Sequence, residues 1–189
     1  MLAGPNGSGK STLYETRIAP KLAVPFINAD IIQRDELRRS DVNSAYEAAQ
    51  IASERRAALL KTRKSFATET VFSHPSKLDL IVQAKSLGYR VMTFHISVEH
   101  PDLSVARVGE RVKEGGHPVP EHKIRTRYDR SGSLIRQAIL QSDVGHVFDN
   151  SHLNYPPQRA LSFNNGVLRF ALAQLPNWVL DIYAEDLVL

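Results

Sequence analysis

The chain has 189 residues, a formal net charge of +4 and no cysteine. Its 42% hydrophobic and 23% charged content is ordinary for a globular protein, and the length suffices for one domain with a proper core. The sequence lacks a membrane-spanning apolar run and a signal-peptide pattern, and the lack of cysteine excludes disulfides and thiolate metal sites. These features predict a cytoplasmic single-domain protein, and the small positive charge suits an anionic ligand such as a nucleotide.

The first motif in the chain is a phosphate-binding loop at residues 4–11, which reads Gly-Pro-Asn-Gly-Ser-Gly-Lys-Ser. Its glycines let successive backbone N–H groups point at phosphate oxygens, and the following helix aims its positive end at the same anion. Lys10 is expected to reach the β- and γ-phosphates, and the Ser11 hydroxyl suits Mg²⁺. A chance glycine turn is disfavoured by the helical pattern over residues 11–18. The expected nucleotide-binding residues are Gly4, Pro5, Asn6, Gly7, Ser8, Gly9, Lys10, Ser11 and Thr12.

The strand that carries such a loop is usually about five residues long and buried on both faces. Here Met1, Leu2 and Ala3 alone precede Gly4. We therefore expect a truncated first strand: either Met1 is not the natural start, or the chain is a shortened and weakened version. An apolar upstream extension is then expected to raise the melting temperature and the nucleotide affinity.

Beyond the loop, short extended runs alternate with helical patterns. Strands are predicted at residues 24–28, 65–70, 89–97 and 143–149, and helices at residues 46–61, 78–85, 101–112 and 121–141. The turn-forming tripeptide Asn164-Asn165-Gly166 predicts a C-terminal hairpin over residues 159–173. The alternation predicts an α/β fold, with an open, mostly parallel sheet and helices on both faces, as one domain over residues 1–189.

Three acidic residues follow predicted strands, namely Asp30, Glu69 and Asp149. Because the carboxyl ends of parallel strands gather beside the ligand, a carboxylate there is suited to take a proton from an acceptor hydroxyl or to help hold Mg²⁺. The alternative for each is a helix cap or a solvated loop residue. The guanine motif of GTPases and the apolar strand ending in Asp-Glu of ATP-driven motors are both absent from the sequence.

A basic stretch surrounds a hinged segment at residues 114–120, where paired glycines precede spaced prolines, within a candidate lid at about residues 111–121. Its cationic residues are Arg107, Arg111, Lys113, Lys123, Arg125, Arg127 and Arg130. Small P-loop kinases use such a segment as a lid that brings arginines to the transferring phosphoryl group and excludes water. The alternatives are a solvated basic surface and a nucleic-acid patch, which is disfavoured because Tyr128 is the single aromatic residue within the stretch.

Two histidines have contrasting contexts, and none has zinc-ligand spacing. His117 lies in the predicted lid and is a candidate phosphate contact. His95 lies within an apolar strand and is expected to be a core residue with a hydrogen-bond partner.

Several segments in order resemble the zeta-toxin family of P-loop kinases, which are related to UDP-N-acetylglucosamine kinase. They are residues 3–12, Phe-Ile-Asn-Ala-Asp at 26–30, Phe-Ala-Thr-Glu-Thr at 66–70, residues 111–120 with 124–128, and Phe-Asp-Asn-Ser at 148–151. The resemblance covers about residues 1–151, and the Gly-Gly-His-x-Val-Pro lid is typical of the compact bacterial branch.

The resemblance implies phosphoryl transfer from ATP or GTP, with Mg²⁺, to a hydroxyl of a UDP-activated amino sugar such as UDP-N-acetylglucosamine. It implies that Asp30 is the general base and that Glu69 positions the substrate or the base. It makes Arg111 and Arg125 the lid arginines, with Arg127 a close competitor for the second role. An antitoxin is a candidate partner by the same resemblance, although the sequence contains no antitoxin-like helical extension.

One departure leaves the acceptor open: Val71 stands where toxins of known substrate have a threonine, two residues after the acid. A rival enzyme would phosphorylate a nucleoside or antibiotic hydroxyl. A rival of another class would bind nucleotide without transferring phosphate. Nucleic acid and membranes are not expected partners.

Overall fold

A computed structural model describes residues 1–113, 116 and 118–187. Its strands are β1 Leu2–Ala3, β2 Phe26–Ile27, β3 Ala67–Thr70, β4 Met92–Ser97, β5 Val144–Asp149, β6 Gln158–Asn164 and β7 Val167–Ala171. They form one sheet in the order β2-β3-β1-β4-β5-β6-β7. The pairs among β1 to β5 are parallel, and the β6–β7 hairpin is antiparallel. The expected mostly parallel sheet and C-terminal hairpin are confirmed.

The helices are α1 Lys10–Leu13, α2 Ala29–Ile31, α3 Val42–Lys61, α4 Ser76–Ser86, α5 Pro101–Lys113, α6 Glu121–Gln141 and α7 Asn177–Tyr183. α1 and α2 each continue as a π-helical turn, Tyr14–Ile18 and Ile32–Leu37. α3 starts four residues before the predicted helix because Asp41 caps it by accepting a hydrogen bond from the Ser44 amide. The sequence patterns did not predict α2 or α7.

β1 is the middle one of the five parallel strands, although it has two residues. Leu2 pairs with Glu69 on β3 and with Phe94 on β4, and both Leu2 and Ala3 are buried. Because side chains alternate across a strand, Leu2 joins an apolar cluster that includes Leu13 of α1, whereas Ala3 joins the large cluster on the other face. Helices therefore cover both faces of the sheet, as the sequence predicts.

His95 on β4 is fully buried, and its Nδ1 lies 2.8 Å from the hydroxyl of Tyr183 on α7. Burial, with a smaller contribution from the positive charge of Lys10, lowers the pKa of His95 to about 3. The expectation of a core histidine with a hydrogen-bond partner is confirmed, and this contact joins the C-terminal helix to the middle of the sheet.

The buried His95 predicts an acid-sensitive component of stability. Because the pKa of His95 is lower in the folded state, the unfolded chain binds this proton more readily than the folded protein does. The contribution of neutral His95 to stability is therefore present above about pH 6.5 and is lost as the pH falls toward 3. We expect the difference in unfolding free energy between wild type and His95→Gln, measured with urea from pH 7.5 to 5, to fall by up to about 1.4 kcal/mol per pH unit below the unfolded pKa. The pKa of His146 is also lowered, but His146 is common to both proteins and cancels. A difference that is constant with pH would contradict the assignment.

Candidate functional site

The phosphate-binding loop is tightly enclosed by the elements around it. Gly7 and Gly9 have φ angles of 74° and 91°, a region that favours glycine. A Cβ on Gly7 would lie 2.5 Å from the Ser104 carbonyl oxygen on α5, and one on Gly9 would lie 2.3 Å from Nδ2 of Asn150. The loop therefore keeps a cradle of bare backbone, which is the shape that a phosphate group requires.

The side chains of Lys10 and Ser11, the two candidate functional residues of the loop, both contact Glu69. The Lys10 ammonium is buried, donates to the Pro5 carbonyl at 2.9 Å and lies 3.6 Å from Glu69 Oε1. The Ser11 hydroxyl donates to Glu69 Oε2 at 2.8 Å. The parallel register of Leu2 with Glu69 produces this arrangement, because it places the end of β3 beside the strand that carries the loop.

Asn28 connects the two predicted acids. Its Nδ2 donates to Glu69 Oε2 at 3.0 Å, and its Oδ1 accepts from the backbone N–H of Asp30 at 2.8 Å. The Asp30 carboxylate is exposed in the first turn of α2, and within the described residues no hydrogen bond or salt bridge engages it. Sequence reasoning gave Asn28 no role, although an asparagine two residues before a helical acid is a typical capping signal.

The predicted lid arginines occupy different environments. Arg125 pairs with Asp102 at 2.7 Å and with Glu121 at 2.8 Å, across the surface between α5 and α6. Arg127 instead donates to Oδ1 of Asn6 in the phosphate-binding loop at 3.0 Å. The two arginines diverge because residues two apart on a helix point about 200° apart.

The remaining lid residues lie near the helix ends. Arg111 is in the last turn of α5, where its carbonyl accepts from the Gly116 amide at 2.8 Å. The predicted hinge residue Gly115 and the candidate phosphate contact His117 lie outside the described residues.

Unsatisfied polar atoms lie where α5 meets the loop. Nη1 of Arg107 and the hydroxyls of Ser8 and Ser104 are buried without a hydrogen-bond partner in the described part of the chain. Burial lowers the pKa of Arg107, and the negative charge of Asp149 opposes that shift. These groups are available to an anion or to water molecules beside the loop.

The segment after β5 supports the loop from the other side. Asp149 is buried and accepts hydrogen bonds from the Trp178 indole at 2.8 Å and from the Ser151 hydroxyl at 2.5 Å. The next residue, Asn150, donates to the Ser8 carbonyl at 2.9 Å. Of these residues, sequence reasoning identified Asp149 as a candidate but assigned no role to Asn150 or Trp178.

A cavity of about 710 Å³ opens beside this segment. Residues that line it include Arg17, Asp149, Asn150, His152, Tyr155 and Arg159. Among the described residues, no group of three or more histidine, aspartate or glutamate side chains could hold a metal ion, and no helix is long and apolar enough to cross a membrane.

The family model described as Zeta toxin matches residues 1–154. The chain belongs to the zeta toxin family. It is 30% identical over 127 residues to a Haemophilus influenzae protein described as uncharacterized, a match covering 66% of this chain and 88% of that protein. The resemblance stated from the sequence is thus confirmed, and the family together with the kinase-like fold supports a nucleotide-dependent phosphotransferase.

Solved structures share the fold. A crystal structure of AvrRxo1-ORF1:AvrRxo1-ORF2 with sulphate ions superposes with a TM-score of 0.71 at 17% identity, over 98% of this chain and 62% of that one. The PezAT chromosomal toxin-antitoxin system of Streptococcus pneumoniae gives a TM-score of 0.58 at 17% identity, over 82% of this chain and 69% of that one. The chain spans 62% of the length of the AvrRxo1 chain that it matches.

Because Gly9 is closely surrounded, we predict that adding one methyl group there lowers nucleotide affinity, whereas the same change at Gly88 does not. Gly9→Ala places a residue with a side chain at positive φ and displaces the Asn150 amide, whereas Gly88→Ala meets nothing within 4 Å at a φ of 82°. Both variants should lose roughly 1–2 kcal/mol of stability, but the affinity for a non-hydrolysable ATP analogue, measured by calorimetry, should fall for Gly9→Ala alone. Equal affinities in the two variants would argue against the Asn150 contact.

Proposed function

We propose that this zeta toxin family member transfers the γ-phosphoryl group of Mg²⁺-bound ATP or GTP to a hydroxyl of a UDP-activated amino sugar such as UDP-N-acetylglucosamine. The supporting observation is the partly buried Glu69 carboxylate, which contacts Lys10 and Ser11 of the loop and, through Asn28, the amide of Asp30. The residues proposed to bind the nucleotide therefore lie beside the residue proposed to meet the acceptor, as direct transfer requires.

The residues of the loop fit a nucleotide. Its backbone cradle and Lys10 suit the β- and γ-phosphates, and Ser11 and Glu69 would hold Mg²⁺ with the phosphate oxygens. When bound, the metal supplies divalent charge that neutralises the phosphates. The purine base of the nucleotide would occupy the cavity beside Asn150, where the exposed ring of Tyr155 offers a stacking surface.

Asp30 is the proposed general base. Its carboxylate is open to an incoming hydroxyl, whereas both oxygens of Glu69 are already engaged by the loop and Asn28. In the reaction the acceptor hydroxyl loses its proton to Asp30 as its oxygen bonds to phosphorus, and the bond from phosphorus to the nucleoside diphosphate breaks. Glu69 holds the side chains of Lys10, Ser11 and Asn28 in fixed positions for that transfer.

Family membership supports the proposed acceptor, and Val71 is the residue whose effect on sugar choice needs testing. The PezAT structure is described as a toxin-antitoxin system. We extend that relationship to this chain and propose a cytoplasmic enzyme with an antitoxin partner.

The function is tested by incubating the protein with Mg²⁺ and ATP or GTP against UDP-sugars, nucleosides and no acceptor. We expect a phosphorylated UDP-amino sugar, detected by mass spectrometry and ³¹P NMR. Lys10→Ala should reduce the rate by about a hundredfold or more, because one preorganised charge is removed. Phosphorylation of a nucleoside alone, or nucleotide binding without any product, would overturn the proposal.

The two acids should separate transfer from nucleotide binding. Asp30→Asn should lower kcat by about 10²–10⁴-fold, the range for a lost general base, and leave nucleotide affinity unchanged. Glu69→Gln should weaken nucleotide affinity as well, because Glu69 contacts Lys10 and Ser11. Turnover and calorimetry with a non-hydrolysable nucleotide measure the two effects. If Asp30→Asn lost affinity and turnover together, Asp30 would be a metal ligand or a structural residue.

Arg125 and Arg127 form a matched pair for identifying the second lid arginine. Arg127→Gln should lower kcat/KM by about 10²-fold or more, because Arg127 contacts Asn6 of the loop. Arg125→Gln removes surface ion pairs with Asp102 and Glu121 and should have a much smaller effect. A larger loss for Arg125→Gln would show that Arg125 moves onto the phosphates when substrates bind.

A further inference from the structure

The C-terminal helix α7 packs against α6 and the sheet, although it lies beyond residues 1–154, which the family model matches. Its Trp178 and Tyr183 are buried against the sheet, and the Asn177 amide donates to the Glu99 carboxylate at 3.1 Å. The helix therefore contacts residues at and beyond the carboxyl ends of β4 and β5, the edge of the sheet at which the loop lies.

Trp178 reaches the loop through two successive residues. Its indole N–H donates to Asp149 Oδ1 at 2.8 Å in a buried environment. The adjacent Asn150 donates to the Ser8 carbonyl at 2.9 Å, and its amide occupies the space beside Gly9. Both Asp149 and Asn150 also line the cavity, so a change in the conformation of Asp149 alters the loop contact and the cavity wall together.

A buried carboxylate requires hydrogen-bond donors, and few are available to Asp149. The described donors to its side chain are Trp178 and the hydroxyl and amide of Ser151. Ser151 belongs to the same segment, whereas Trp178 belongs to a distant helix. The backbone of this segment is held by the pairing of Asp149 with Ser97 and Gln158 and by the Asn150 amide, which donates to the Ser97 carbonyl at 2.8 Å. The indole is the described side-chain donor that joins the Asp149 carboxylate to another element, and it therefore orients that side chain.

We propose that Trp178 is a positioning residue for nucleotide binding, which holds Asp149 and thereby keeps Asn150 against the phosphate-binding loop. The inference rests on the proposed function in that the ligand is a nucleotide. The sequence contains one tryptophan, and it is this residue. Its fluorescence therefore reports directly on the segment that borders the site.

The test compares two variants of α7. Trp178→Phe keeps an aromatic ring but removes the N–H, whereas Tyr183→Phe removes the hydrogen bond to His95 and leaves Asp149 untouched. Trp178→Phe should weaken calorimetric affinity for a non-hydrolysable ATP or GTP analogue by about tenfold or more and raise the nucleotide KM equally, with kcat within about twofold. Tyr183→Phe should lower the melting temperature without changing affinity.

A second measurement uses the wild-type protein and requires no variant at the tested position. The emission of Trp178 should change on titration with the same analogue and saturate with the calorimetric Kd. Unchanged emission, or equal affinity in wild type and a folded Trp178→Phe, would overturn the positioning role. A wild type that binds neither ATP nor GTP would instead overturn the proposed function.

Discussion

The contact of the Glu69 carboxylate with Lys10 and Ser11 is the interaction on which the site depends. Lys10 is buried and the Glu69 side chain is largely covered, so removing the carboxylate would leave the Lys10 charge buried without its partner, a change that costs up to about 3–5 kcal/mol in fully buried pairs. The pair forms because parallel β3 lies beside β1, with Glu69 in register with Leu2. The pairing of β1 with β3 therefore places Glu69 beside the phosphate-binding loop, and the contacts of Glu69 with the loop in turn stabilise that pairing.

Three asparagines extend this arrangement outward. Asn6 accepts from Arg127 of α6, Asn28 links Glu69 to α2, and Asn150 joins the end of β5 to the loop. An uncharged amide both donates and accepts hydrogen bonds, so it can connect charged groups without adding charge. Such residues fix the relative positions of the charged groups that the proposed reaction uses, and they add no charge of their own.

The orientation of α6 decides which arginine adjoins the loop. The Tyr128 hydroxyl donates to the Val98 carbonyl at 2.7 Å, with the Glu99 carbonyl at 3.1 Å, and this contact orients the helix against the segment after β4. With that rotation, Arg127 contacts Asn6 and Arg125 lies among surface acids. The basic composition of the stretch is visible in the sequence, but the rotation depends on a contact that the local pattern does not contain.

The sequence by itself determined the local features of this zeta toxin family chain. The glycine spacing specified the phosphate-binding loop, helical periodicity gave α6 at 121–141, and the Asn-Asn-Gly turn gave the hairpin. Sequence patterns did not determine the short elements. β2 has two residues where a strand over 24–28 was expected, and α7 was not predicted because a seven-residue helix has too few turns to show a periodic pattern. Only the tertiary structure decided that Asn28 meets Glu69, that Asn150 meets Ser8 and that Trp178 meets Asp149. Those partners are 41, 142 and 29 residues apart, and strand order and helix packing bring them together, whereas periodicity and turn chemistry act over a few neighbouring residues.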